Sequence, residues 1–467
     1  MKYTVTIIED HYNDLKNHLL REDGHERVAY VILGRSYIKK NPWTKTSEER
    51  FLSREIIPFP DDELMESSHN RVTWNLQSYV QILKKIEEKD FAIALIHNHP
   101  KGAKYFSSVD DANEPEFFKV AFNRNESTRP HLSLIMTADG DIIGRAWDKN
   151  INCTEVDFIR ILGERFKFFY PKKKEDSSSE IFHRQQLAFG KALVQDFSKL
   201  TIGIVGCGAT GSATAILLAR LGIGNLLLID KDTVEATNLN RLHGATIKDI
   251  GKLKVKVLKK HIESMGLGTK VYAINDWVTS NKCFDALRSC DIIFGCTDDN
   301  AGRFFLNRFA YFYLVPIIDM GLTISVTKND VPQVQDLNGR LTVLFPNTSC
   351  LICNEVINSD IAYAENLKRN DPTRYKQLKE EAYVIGEGNP NPAVVTFTTE
   401  VACMAVNEFI HRMQGYRSSG SVNNRIRLFQ RDTDLTPENA SRDECRICKS
   451  KNYWGRGDMK PLLDMII

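Results

Sequence analysis

Three groups of residues in this 467-residue chain have types and spacings that can do chemistry. The first lies in the stretch TIGIVGCGATGSATAILLARLGIGNLLLID. There Gly206, Gly208 and Gly211 stand at GxGxxG spacing between two apolar runs. Glycines let a backbone approach an anion closely, and the N-terminus of a following helix favours negative charge. Asp230 ends the next apolar run, 24 positions after Gly206, where a carboxylate can hold a ribose hydroxyl. This pattern predicts a bound nucleotide, and by itself leaves an NAD-dependent oxidoreductase open. The second group lies in HNHPKGAKYFSSVDDANE, with His97, His99 and Asp110, and Ser107 three positions before the acid. Two imidazoles and a carboxylate leave one position of a tetrahedral zinc open for water. Zinc can lower the pKa of such a water from about 15.7 to about 7. The third group is Cys350-Leu-Ile-Cys353 with Cys445-Arg-Ile-Cys448. Two CxxC pairs supply four thiolates for one structural zinc, with redox chemistry as the alternative reading.

The residues after the glycine turn narrow the nucleotide. Asp230 and Asp232 lead to Asn238-Leu-Asn-Arg241, then to Gly251-Lys-Leu-Lys254, then to Thr297-Asp298 with Arg303 five positions on. A dinucleotide is held by backbone and one acid. ATP cleaved at its α-phosphate needs cations for the phosphates, here Arg241 and Lys254, and a carboxylate for Mg²⁺, here Asp298. Asp232 is expected to contact the nucleotide, with a turn cap as its other reading. On these residues the chain, from about Glu180 onward, resembles the ThiF/MoeB and ubiquitin-activating enzyme family. Its members adenylate the C-terminal glycine of small ubiquitin-like proteins. The resemblance implies ATP and Mg²⁺ as cofactors. It makes Asn238 a nucleotide contact, from an NLxRQ string in which Leu242 replaces the usual glutamine. It also implies that Arg184, in Phe182-His-Arg184-Gln185, serves the active site of a partner subunit, so that the chain is a homodimer.

The HxH-x7-SxxD string, with Glu26 heading an early strand, resembles the JAB/JAMM metalloprotease family over about Met1 to Lys149. Those enzymes cut after the C-terminal glycines of ubiquitin-like proteins. The resemblance makes His97, His99 and Asp110 the zinc ligands, Glu26 the general base and Ser107 the group that polarises the tetrahedral intermediate. Ala29 stands where the family commonly has glycine.

These groups need elements to position them. Alternation predicts strands over 3–7 and 28–33, and apolar runs predict buried strands over 91–96, 201–205, 226–229, 291–296 and 315–318. Further strands are expected over 131–137 and 142–147, and one over 341–345 outside the parallel series. Helical spacing is read over 10–20 and over 74–88, the latter with Leu76, Tyr79, Val80 and Leu83 on one face. Helices are also read from near Asp110, over 212–221 and 301–313, and through Val156, Ile159, Phe166 and Phe169. Residues 35–70 read as hairpins and a variable loop. Pro171-Lys-Lys-Lys-Glu-Asp-Ser-Ser-Ser reads as a charged linker.

The expected fold class is α/β. A JAB-type α/β/α domain covers 1–150 and a helix with the serine-rich linker covers 151–180. A Rossmann-like adenylating domain, with a mostly parallel sheet and a structural zinc, covers 181–467. The formal charge of +2 points to no nucleic-acid or membrane partner. Met1 to Glu9 reads as a strand rather than a signal peptide. With that reading, ten cysteines suggest metal sites and free thiols, and a cytoplasmic location. The implied function is bifunctional: a zinc peptidase that trims or detaches a ubiquitin-like protein, and an ATP-dependent domain that adenylates its C-terminal glycine. The partners are that carrier and a conjugating enzyme, or a sulfur-transfer acceptor; bacterial antiviral conjugation and sulfur-carrier pathways both join such domains. The alternative is a non-catalytic platform that senses nucleotide. Residues 354–392 contain no cysteine, so no thioester on this chain is expected.

Overall fold

A computed structural model describes every residue except 62–63, 69–71, 75–76, 88, 126–127, 172–179, 328–330, 381–391, 439–440 and 465–467. The chain divides into two compact units. One comprises Met1–Glu175, Phe312–Leu314 and Lys451–Ile467, the other Asp176–Tyr311 and Val315–Ser450.

The first unit runs β1 (Lys2–Ile8), α1 (Glu9–Leu19), β2 (Val28–Ile38), β3 (Glu48–Pro58), β4 (Leu64–Ser67), β5 (Val72–Trp74), α2 (Gln77–Glu87), β6 (Ala92–His99), α3 (Ser108–Asn125), β7 (His131–Thr137), β8 (Ile142–Trp147), β9 (Cys153–Glu155), β10 (Phe158–Leu162) and β11 (Phe166–Phe169). Nine strands form one sheet in the order β11-β10-β1-β3-β2-β6-β7-β8-β9, and β4 pairs with β5. Successive strand residues face opposite sides, and β2 uses both. Ala29, Val31 and Leu33 pack with Tyr12, Leu15 and Leu19 of α1. Val28, Tyr30 and Ile32 pack with Tyr79, Leu83 and Ile86 of α2 and with Phe117 and Phe118 of α3. Burying each such large apolar side chain contributes about 1.5–3 kcal/mol. A strand covered on both faces reads as a continuous apolar run, which is why 28–33 is legible.

Several boundaries differ from the sequence reading. The helix expected through Val156, Ile159, Phe166 and Phe169 is instead β10 and β11. Every residue of β10 is buried, paired parallel with β1 and antiparallel with β11, and its aromatic and β-branched residues suit a strand. The segment 153–169 therefore carries three strands and no helix, and the expected linker lies almost wholly outside the described residues. Val80 of α2 is exposed while Ile82 and Ile86 are buried, so the helix face is rotated from the one expected; Leu76 is not described. The end of the chain, assigned to 181–467 by sequence, belongs from Lys451 onward to the first unit. There Asp458 N–H donates to the Arg35 carbonyl at 2.7 Å, and its carboxylate accepts from Tyr37 N–H at 2.5 Å. A Cβ on Gly34 would overlap the Gly455 carbonyl, so glycine is required there by close approach.

The second unit runs α4 (His183–Phe189), α5 (Lys191–Lys199), β12 (Thr201–Val205), α6 (Ala209–Arg220), β13 (Asn225–Ile229), α7 (Lys254–Ser264), β14 (Lys270–Ile274), α8 (Asn281–Arg288), β15 (Ile292–Gly295), α9 (Asn300–Phe312), β16 (Ile317–Val326), β17 (Val334–Leu344), α10 (Ser359–Asn370), α11 (Pro372–Glu380), α12 (Val395–Gln414), β18 (Asn424–Leu428) and β19 (Thr433–Leu435). Its sheet has the order β14-β13-β12-β15-β16-β17-β18-β19. The first five strands are mutually parallel and the last three antiparallel. In chain order the parallel part reads 3-2-1-4-5. That order puts a topological switch between β12 and β15, and ligands bind outside the carboxyl ends of the strands at such a switch. No described helix is long and apolar enough to cross a membrane.

Candidate functional site

The glycine turn leaves β12 at that switch. Gly206 has φ +90°, and a Cβ there would lie 2.7 Å from the Cys296 carbonyl. A Cβ on Gly211 would overlap the Gly206 carbonyl, so α6 packs directly on the turn. Gly208 faces open space. The three glycines thus divide the work: one makes the turn, one permits helix–strand contact, and the middle one presents bare backbone at the start of α6. This arrangement fits a phosphate.

Asp230 follows β13 and is mostly buried. Its carboxylate accepts from Cys207 N–H at 2.6 Å and from Asp232 N–H at 2.7 Å, so it ties the glycine turn to the loop after β13. Burial raises its pKa against the pull of those bonds and of Lys254. A carboxylate offers about four acceptor positions, so both bonds are compatible with a ribose contact. Asp232 places a cation. Its oxygens lie 2.8 Å from Lys231 Nζ and 3.1 Å from Lys254 Nζ. Burial opposes its ionisation, yet the two ammonium groups hold its carboxyl below the ordinary value. Lys254 opens α7, and backbone bonds from Lys254 N–H to the Asp232 carbonyl and from Val234 N–H to the Lys252 carbonyl zip the two loops together. Asn238 closes a short 3₁₀ turn, accepting from Glu235 N–H at 3.2 Å. Arg241 donates to the Thr237 carbonyl at 2.7 Å. Leu242 is buried against Val234 and Val257, which accounts for an apolar residue at that position.

Two adjacent acids follow β15 and do different work. Asp299 caps α9, accepting from Gly302 N–H and the Thr297 hydroxyl. Asp298 is exposed beside it. Residues that sequence reading did not single out hold this loop. On α10, Glu365 accepts from Ala301 N–H at 2.7 Å. Arg369 lies 3.8 Å from Asp299 and donates to Thr279 Oγ1 at 3.2 Å. Its guanidinium also sits 3.5 Å from the Trp277 ring centroid, and Lys231 Nζ is 4.3 Å from the same ring. Cation–π contacts of this kind contribute roughly 0.5–2 kcal/mol each. These partners come from segments far apart in sequence and carry no motif.

Arg184 lies exposed on α4. The helix is fastened by Gln185, which donates to the Arg220 carbonyl at 2.8 Å, and by the Phe182 ring, 2.9 Å from where a Cβ on Gly222 would stand. Ile181 and Leu187 beside it are exposed as well.

The four CxxC sulfurs cluster within 4.8 Å of one another. Cys350 Sγ is 3.8 Å from Cys445 Sγ, and Cys353 Sγ is 3.7 Å from Cys448 Sγ. Four sulfurs at about 2.3 Å from one zinc would be about 3.8 Å apart, so the donor set fits that ion. Replacing Cys350 by Ser should release zinc and collapse the knuckle. Metal analysis together with thermal unfolding checks this, and a zinc-free variant with unchanged melting would contradict it. Zinc knuckles in peptides bind with about 10–16 kcal/mol.

In the first unit, β6 ends with His97 and His99, and α3 begins with Asp110 in its first turn. The ring nitrogens His97 Nε2 and His99 Nε2 are 3.1 Å apart. Asp110 oxygens lie 3.4 Å from the first and 3.8 Å from the second. Burial pushes His97 down to about 4, against the pull of Asp110. A neutral imidazole suits metal ligation, and the three donors are close enough to share one ion. Ser107 caps α3 reciprocally: its hydroxyl accepts from Asp110 N–H at 3.2 Å, and its own N–H donates to the Asp110 carboxylate at 2.6 Å. The hydroxyl retains a proton to donate. Glu26 stands two residues before β2, whose Val28 pairs with His97. Burial raises its pKa to about 7, with Asp110 adding to the rise and Lys101 opposing it. Asn98, buried between the two histidines, was not anticipated. It accepts from Arg27 N–H at 2.6 Å and donates to the His25 carbonyl at 3.1 Å, clamping the Glu26 segment to the end of β6.

The sequence model of the ThiF family matches residues 182–452. A tRNA threonylcarbamoyladenosine dehydratase of Bacillus subtilis (strain 168) is 37% identical over 98 residues, covering 21% of this chain and 39% of that protein. An adenylyltransferase and sulfurtransferase MOCS3 of Aedes aegypti is 30% identical over 139 residues, covering 29% and 32%. A ubiquitin-like modifier-activating enzyme 5 of Culex quinquefasciatus is 26% identical over 179 residues, covering 34% and 45%. The chain therefore spans less than half the length of each of these relatives.

Proposed function

Because the chain belongs to the ThiF family, we propose that its second unit is an ATP-dependent adenylyltransferase acting on the C-terminal glycine of a ubiquitin-like or sulfur-carrier protein. The observation that carries this reading is the crest of the parallel sheet. There the open face of Gly208, the cation Lys254 and the exposed acid Asp298 stand after three neighbouring elements. The glycine turn holds the phosphates and Asp230 the ribose. Arg241 and Lys254 neutralise phosphate charge, with Asn238 at the same loop. Asp298 is the residue that would hold Mg²⁺, which when bound offsets charge on the leaving pyrophosphate. A carboxylate oxygen of the carrier attacks the α-phosphorus, the α–β phosphoanhydride breaks, and pyrophosphate leaves. Names of relatives that include adenylyltransferase and ubiquitin-like modifier-activating enzyme support this substrate class. The test is ATP–pyrophosphate exchange with a candidate carrier ending in glycine; exchange that ignores the carrier would sink the reading. Cys403 does not favour a thioester on this chain. Burial, then Glu400, raises its pKa.

The exposed Arg184, with Ile181 and Leu187 beside it, supports a homodimer in which α4 serves the other subunit's site. Mixing Arg184→Ala with Asp298→Ala chains should restore part of the exchange activity, since one hybrid site keeps both groups. Two inactive variants that never complement, in a protein of monomeric mass, would count against it.

The His97, His99, Asp110 and Glu26 constellation favours a second activity, a JAMM-type peptidase acting on the same class of carrier. A zinc ion held by His97, His99 and Asp110 would supply an acidified water. Glu26 Oε takes and returns the proton, and Ser107 donates toward the developing oxyanion. A non-catalytic nucleotide-sensing platform is the competing reading, and a cytoplasmic setting belongs to the same proposal.

A further inference from the structure

We infer that Arg303 and Arg340 form the pocket for the terminal carboxylate of the molecule to be adenylated, an inference that rests on the adenylation reading above. The order of strands sets the argument. Across the crest of the sheet come Asp230 after β13, the glycine turn after β12 and Asp298 after β15. The next strand is β16. Its Asp319 pairs with Gly295, the last residue of β15, and is fully buried.

Two guanidiniums converge on that carboxylate. Arg340 of β17 donates through Nη2 to Asp319 Oδ1 and through Nη1 to Thr342 Oγ1 at 2.8 Å. Arg303, on α9 five residues after Asp298, has Nε 3.6 Å from Asp319 Oδ2, and its Nη2 donates to the Met320 carbonyl at 3.4 Å. One carboxylate faces two guanidiniums, so the cluster carries one positive charge in excess. Both arginines keep an exposed edge, 15% and 17% of their side chains.

That excess charge lies over bare backbone at Gly321. Gly321 pairs directly with Arg340 across the strands. A Cβ on Gly321 would lie 3.2 Å from Arg303 Nη2 and 3.4 Å from Arg340 Nη2. Gly321 is not among the glycines with positive φ, so glycine serves space there, not backbone conformation. The result is two planar donors lying side by side over bare backbone, each with an exposed edge, beside the acid loop and on its far side from the glycine turn. Guanidinium forks match carboxylates in shape and hydrogen-bond directions. One excess positive charge matches one carboxylate, whereas the triphosphate already has the turn, Arg241 and Lys254. In strand order a carboxylate seated here lies across the Asp298 loop from the glycine turn. Forming the mixed anhydride removes its negative charge, so the pocket holds the reactant more tightly than the adenylated product.

The test uses the full chain with a non-hydrolysable ATP analogue and two probes, a short synthetic peptide ending in Gly-Gly with a free carboxylate and the same peptide as its C-terminal amide. The wild type should prefer the free carboxylate by roughly ten- to hundredfold, the range expected for charge-assisted bonds. Arg340→Gln should reduce that preference to within about threefold and leave affinity for the ATP analogue within about twofold. Gly321→Ala keeps every charge but presses a methyl against both guanidinium tips, displacing them, and should reduce the preference as well, so the result does not hang on one ion pair's contribution to folding. No preference in the wild type, or a preference that survives both variants, overturns the inference. Parallel loss of nucleotide affinity does so too, because it would make the pair a structural or phosphate-binding group. Pyrophosphate exchange with ATP in place of the analogue, on the same wild-type preparation, reads the adenylation proposal separately, and exchange without carboxylate preference overturns this inference alone.

Discussion

Asp298→Ala should abolish carrier-dependent ATP–pyrophosphate exchange, with a loss of at least about 10²-fold, while leaving the melting temperature nearly unchanged. Removing one group that stabilises transition-state charge costs roughly 10²–10³ in rate. Substituting an exposed surface residue usually changes stability by less than about 0.5 kcal/mol, and Asp298 is exposed. Its neighbour makes the comparison decisive. Asp299 caps α9 and faces Arg369, so Asp299→Ala should cost roughly 1 kcal/mol of stability, the usual value of a lost cap. Exchange kinetics and thermal unfolding on both variants separate the roles. If Asp298→Ala still exchanges, that carboxylate does not hold the metal.

Glu26→Gln should retain zinc at His97, His99 and Asp110 but lose cleavage of a carrier extended beyond its terminal glycine. A positioned general base contributes about 10²–10⁴-fold. Metal content and peptidase rate measured on one preparation check this, and full cleavage with full metal would remove the role assigned to Glu26. The same variant has a signature in the metal-free protein. Burial raises the Glu26 pKa from 4.5 to about 7. Between those values the folded state binds more protons than the unfolded one, so the contribution of Glu26 to stability is present below pH 4.5 and is lost as pH rises toward 7. His97 acts in the opposite direction: its folded pKa is lowered from 6.5 to about 4, so folding gains stability as pH rises through that range. Subtracting the Glu26→Gln curve from the wild-type curve isolates the first term, which should fall with pH. A flat difference would place Glu26 outside the buried setting described here.

Much of the second unit was legible because its signals are local. Residues 201–205 are an apolar run before glycines whose spacing has a steric cause, and both the strand and the turn lie where that pattern puts them. The zinc-type ligand sets were legible for the same reason, since each is two short strings. What escaped was whatever depends on distant chain segments meeting. Asn98, Trp277, Arg369 and the Asp319–Arg340 pair act through partners 20 or more positions away in sequence. Residues 158–162 misled because burial on both faces of an interior strand erases the alternation that separates strand from helix. Asp232 was weighed as a nucleotide ligand or a turn cap, and its bond to Lys254, 22 positions away, was not legible from either reading.

The central claim is that a carrier carboxylate attacks the α-phosphorus of ATP at the crest of the second unit's sheet. The most direct test labels the oxygens of the carrier's C-terminal carboxylate with ¹⁸O, incubates it with ATP, Mg²⁺ and the full chain, and examines the nucleotide product by mass spectrometry after the acyl bond is cleaved by a nucleophile. The account predicts AMP that carries one ¹⁸O, since the bridging oxygen of the mixed anhydride comes from the carboxylate and departs with the phosphate. Unlabelled AMP, or ADP as the product, would contradict it.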